Sequence, residues 1–222
     1  MFQTLLEYLK HPVTTMIEKS EQEDLKKGAI KLAIISAVMS LVGVITKARS
    51  IGSMYSKDGT FSGFYSSDKL AELKKEALKN ADLFGSFFKS LAIFAVVIAI
   101  IAAILFIIAK IVKSDKTYQS TLSMTNNAYI VYASGLVLNL ILSLIYAPLG
   151  WIVLFAASVY GFFALINAFK DTLSVENSDG VVIATTLVIV VVVVILALIA
   201  ANKLNTALSS IGGLSTITSL LK

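Results

Sequence analysis

Residues 117–169 read TYQSTLSMTNNAYIVYASGLVLNLILSLIYAPLGWIVLFAASVYGFFALINAF, fifty-three residues without a charge. A helix rises 1.5 Å per residue and a bilayer's hydrocarbon core is about 30 Å thick, so this run exceeds one crossing and suits two. Its one break is Tyr146-Ala-Pro-Leu-Gly-Trp151. Pro148 removes a backbone donor and Gly150 permits a tight turn, which predicts a hairpin of helices over 126–147 and 149–169. Tyr146 and Trp151 flank it where an interfacial aromatic belt sits.

Outward from that hairpin, the other spans are also marked by missing charge. Residues 90–109 form a twenty-residue uncharged run between Lys89 and Lys110. Residues 32–46 carry no charge, and 28–31 extend them into a first span whose Lys31 snorkels to the headgroups. The last span is 180–202. It contains eight consecutive β-branched residues, 188–195, which favour a strand in water. In lipid, backbone hydrogen bonds close within the segment, so helix wins unless a closed barrel forms, and these runs lack a barrel's alternating polarity.

Composition agrees. Over 222 residues, 57% are apolar and 15% charged, against roughly 25% charged in a soluble domain. Mean hydropathy is +0.84. One aqueous core could not hide that much apolar surface. The expected fold class is therefore all-α, a polytopic integral membrane protein built on five transmembrane helices with N-terminal and loop amphipathic helices. Three regions follow: a polar N-terminal segment 1–27, the membrane domain 28–202 and a tail 203–222.

Phe2, Leu5, Leu6 and Leu9 recur at helical spacing and predict an amphipathic helix, on the headgroup plane or against the bundle. Residues 13–27 read as a second, more polar helix. In the large extramembrane piece 47–89, residues 50–67 read as loop. Beyond it, Leu70, Leu73, Ala77, Ala81, Phe84 and Phe88 share one helical face, a candidate contact surface. Ser67 or Asp68 can cap this helix, and Gly85 is the expected bend into the second span.

Charge and chemistry narrow the function. The net charge of +5 suits anionic headgroups, whereas basic residues scattered between apolar runs do not make a nucleic-acid surface. Lys110, Lys113, Lys116 and Lys170 stand against no basic residue at 148–150, which favours a cytoplasmic N-terminus. There is no cysteine, and the one histidine, His11, lies beside Pro12. No span carries Asp, Glu, His or Arg, no metal-ligand spacing or phosphate loop occurs, and no cofactor is implied. No catalytic residue is assigned.

Small and amide residues are spaced for packing instead. Gly135, Asn139, Ser143 and Ala147 follow every four residues along the third helix, and Ala157, Gly161, Ala164 and Ala168 lie across the hairpin. Such residues let helices approach and hydrogen-bond across the contact. The alternative makes Asn126, Asn127, Asn139 and Asn167 the lining of a polar path.

With the spans placed, the layout resembles the Yip-domain family, the Ypt/Rab-interacting five-span membrane proteins, and in particular its bacterial branch. The features are the polar N-terminal segment, five closely spaced helices, the tract 118–172 with its YAPLGW hairpin, and the opening LLEYLKHPV of 5–13. The acidic Asp-Leu-Tyr-Gly-Pro-type segment of eukaryotic members is absent, so Rab binding is not carried over. The insertion 47–89 departs from the compact pattern. The expected function is contact with membrane lipids and with a protein partner or a second copy, as an accessory subunit of a transporter or a membrane-organising factor. A transport component for an uncharged or amphipathic cargo is the alternative.

Overall fold

A computed structural model describes residues 7, 10–173, 180 and 183–190. The chain divides into one compact unit over 1–178 and a second over 179–222. In the second, 180 and 183–190 are helical, and the rest of the proposed last span lies outside the described residues, as do the tail 203–222 and most of the amphipathic segment 2–9.

Among its described residues the first unit contains six helices: α1 Pro12–Gln22, α2 Leu25–Met54, α3 Ser67–Asn80, α4 Leu83–Ile111, α5 Tyr118–Leu142 and α6 Ala147–Thr172. No strand occurs among the described residues. Among the described residues, three helices are long and apolar enough to cross a membrane: α2, α4 and α6. At 30 residues α2 is about 45 Å long, and it overshoots the expected span 28–46 at both ends. Only 22% of the most apolar window of α4 is buried. Ile93, Val96, Ile107 and Ile111 are exposed on α4, as are Trp151, Ile152, Phe155 and Phe163 on α6. Such faces need an apolar solvent.

α5 is uncharged and 25 residues long, yet it is not among the three apolar helices. It starts eight residues earlier than expected, at Tyr118, and its first turns bury Ser120, Thr121, Ser123, Thr125, Asn126 and Asn127. α2, α4 and α5 share a core of Ile35, Met39, Ile98 and Ala133. α1 turns back to pack on α5 and α6.

The ends of the helices explain where expectation and structure part. α5 stops at Leu142, and Ser143–Tyr146 makes the turn through Leu144 N–H to Ile141 O (3.1 Å) and Tyr146 N–H to Leu142 O (2.9 Å). Pro148 therefore begins α6 rather than breaking a helix, since the first turn needs no partner for the missing N–H. Ala147 is consequently the first residue of α6 and exposed, not the last of an α5 stripe. Gly150 is buried inside α6, outside the turn.

The helix after the first span also runs longer than expected: 50–54, read as loop, continue α2. The bend before the second span is at Asp82, whose backbone is left-handed (φ 42°), and not at Gly85. The Asp82 carboxylate accepts from Gly85 N–H at 3.0 Å and caps α4. A Cβ on Gly85 would overlap that carboxylate, so glycine serves the cap instead of a kink. At the other end of α4, Lys113 is left-handed (φ 59°), with Ser114 N–H to Ala109 O (2.9 Å) and Lys113 N–H to Lys110 O (3.1 Å) closing a Schellman motif.

Candidate functional site

The elbow between α1 and α2 is set by Glu23 and Asp24, which leave the helical conformation. Asp24 caps α2 by accepting from Lys27 N–H at 2.7 Å. Glu23 turns inward, and its side chain is only 9% exposed. Burying a carboxylate costs several kcal/mol unless it is paired and hydrogen-bonded. Lys31, two turns into α2, supplies the charge: its Nζ is 2.7 Å from Glu23 Oε1 and donates to Asn127 Oδ1 at 3.0 Å. Ser123 Oγ donates to the other carboxylate oxygen, and Gln119 Nε2 donates to the Glu23 carbonyl. Asn126 Nδ2 donates to Gly28 O at 2.9 Å. The polar first turns of α5 thus grip the start of α2 and the elbow through residues about a hundred positions apart.

Part of this cluster has no partner. Asn126 Oδ1, Asn127 Nδ2 and Ser120 Oγ are buried and unbonded. Lys116 to Glu21 at 3.5 Å ties the α4–α5 connection to α1. Outside the cluster, Lys19, Gln22, Glu23, Lys27 and Lys31 line a shallow depression of about 210 Å³. Three ammonium groups line it, each paired with a carboxylate. Among the described residues, no group of three His, Cys, Asp or Glu could hold a metal ion.

At the opposite end of α2 two basic side chains clamp the turns. Arg49 Nη1 and Nη2 donate to Ser143 Oγ and Ser143 O, each at 2.8 Å. Lys47 Nζ donates to Ala81 O (2.7 Å) and Ser86 Oγ (2.8 Å) at the α3–α4 junction.

The small residues singled out in the sequence meet between α5 and α6. A Cβ on Gly135 would overlap Ala157 Cβ, and one on Gly150 would overlap Asn139 Oδ1 and lie 3.1 Å from Ser143 Cβ. A Cβ on Gly161 would fall 3.1 Å from Ala128 O. These are the close backbone approaches that small residues permit. The four asparagines are not brought together: Asn126 and Asn127 are buried at one end of α5, Asn139 is partly buried near its other end, and Asn167 is exposed on α6.

The proposed contact face is divided by the bend at Asp82. Leu70 is buried and Leu73, Ala77 and Ala81 are partly buried, with α3 packing on α2. Phe84 (77%) and Phe88 (51%) begin α4 as exposed rings stacked edge to face, with centroids 4.8 Å apart.

Sequence reasoning missed Glu23, which looked like one more charge in a polar helix. The available signal was Lys31 inside the first span and the pair Asn126-Asn127 inside another: intramembrane polar groups require partners. The Yip1 domain family model matches residues 6–199. No curated protein and no solved structure matches.

Proposed function

The chain belongs to the Yip1 domain family, and from that premise we propose that it acts without catalysis, through contacts made by a five-span bundle in a lipid bilayer. It is a multi-pass membrane protein of a membrane-associated family. The finer reading is that α5 and the last span, 180–202, cross as well, with the N-terminus on the cytoplasmic side of a bacterial cytoplasmic membrane. The bundle then serves as an accessory subunit of a transporter complex or as a membrane-organising factor, contacting lipids and a protein partner or a second copy.

The observation that carries this reading is where the polar side chains go. Glu23, Lys31, Asn126 and Asn127 spend their hydrogen bonds holding α1, α2 and α5 together, and Gly135, Gly150 and Gly161 bring α5 against α6. Polar groups are used for assembly, and the apolar outer faces remain for lipid and partners. The exposed start of α4, Phe84 and Phe88, lies at the membrane interface and is the proposed contact surface.

Measuring the mass of the full chain in mild detergent, after co-purification from its own membranes, tests the proposal. A stoichiometric partner or a homo-oligomer is expected, with no solute flux in liposomes containing this chain alone. Flux by the isolated chain would instead establish the transport alternative.

A further inference from the structure

We propose that the depression at the α1–α2 elbow binds the phosphate of an anionic phospholipid whose acyl chains lie along the outer face of α2. This rests on the reading above that α2 crosses the bilayer. The elbow stands at the end of that crossing helix, at headgroup depth.

Two independent features of the elbow and α2 fit one amphiphile. The first is charge: Lys19, Lys27 and Lys31 face the same hollow. Lys27 pairs with Asp24 at 3.8 Å and Lys19 with Glu7 at 3.4 Å, carboxylates that are 59% and 61% exposed. Such solvent-screened pairs are weak enough for a phosphate to compete. Lys31 spends two of its three N–H donors on Glu23 and Asn127, which leaves one for a ligand. Glu23 does not repel it outright, because its carboxylate is already neutralised by Lys31 and hydrogen-bonded by Ser123.

The second is shape. Directly below Lys27 on the same helical face come Ile30, Ile34, Leu41 and Ile45, all exposed. A cationic hollow above a continuous apolar stripe matches a headgroup above its chains, which a free phosphate would not need.

Native mass spectrometry of the full chain in detergent tests the assignment, with phosphatidylglycerol, phosphatidylcholine and inorganic phosphate as probes. Phosphatidylglycerol is expected to be retained over phosphatidylcholine. Lys19→Gln and Lys27→Gln are expected to weaken it about fivefold each, the scale of one lysine near an anionic lipid surface. Lys75→Gln, an equal charge change on α3, should leave it unchanged. Equal retention of both lipids, insensitivity to the elbow lysines, equal loss in the α3 variant, or displacement by inorganic phosphate at matching concentration each overturns the proposal. A chain that stays monodisperse without detergent would instead overturn the bilayer reading on which it rests.

Discussion

Lys31 Nζ lies 2.7 Å from the Glu23 carboxylate, and the two sit on opposite sides of the elbow that turns α1 back onto the bundle. The pair is the electrostatic link between α1 and α2. Because Glu23 is almost fully buried, removing either partner strands a charge, whereas removing both does not. Glu23→Ala is therefore expected to cost about 2–3 kcal/mol, less than a fully buried pair because Lys31 is 26% exposed. Glu23→Leu/Lys31→Leu should recover most of that loss. Thermal unfolding in detergent reads both, and a double variant no better than Glu23→Ala would refute the pairing.

The approach of α5 to α6 makes a reciprocal prediction. Gly135→Ala places a methyl onto Ala157 and is expected to cost about 1–3 kcal/mol, the range for overpacking. Adding Ala157→Gly returns the space and should restore stability, since the glycine removed from α5 and the one added to α6 offset each other in helix propensity. If Gly135→Ala alone is neutral by thermal unfolding, the helices are not in close contact there.

Arg49, the chain's one arginine, holds the α5–α6 turn through both of its terminal nitrogens on Ser143. Lysine cannot reproduce that two-pronged contact. Arg49→Lys is expected to cost no more than about 1 kcal/mol overall, because the contact is exposed. Its clearer effect is faster amide exchange over 143–146, read by hydrogen–deuterium exchange. Exchange unchanged from the parent chain would show that the contact does not hold the turn.

Lys113 occupies a left-handed position that glycine adopts without penalty, and its side chain is exposed. Lys113→Gly should stabilise the chain by about 1 kcal/mol. Asp82 is also left-handed, but its carboxylate caps α4. Asp82→Gly trades that cap for backbone relief, so it should gain less than Lys113→Gly or lose stability outright. Thermal unfolding of the two variants side by side gives the order, and a larger gain from Asp82→Gly would contradict the cap.

The apolar spans were legible in the sequence because lipid imposes a simple condition, an uncharged stretch long enough to cross. The run 90–109 falls inside α4, and 149–169 inside α6. The ends were harder to read, because hydropathy does not register a helix that continues past its uncharged run, as α2 does to Met54. Gly85 and Pro148 part from expectation in the same way: each has the local chemistry of a helix breaker, and each sits within a first turn. Glu23 was the larger omission. Its role depends on Ser123 and Lys31, and no local pattern brings residues a hundred positions apart onto one carboxylate.

Whether α5 crosses the bilayer decides the account, since it is the polar helix that separates a five-span bundle from a smaller one. The chain has no cysteine, so single cysteines can be introduced at Lys113 and Ile145, both exposed and flanking α5. Labelling of sealed vesicles with a membrane-impermeant maleimide is predicted to reach one of these positions from outside, and the other only after permeabilisation. Labelling of both from the same side would contradict the five-span bundle.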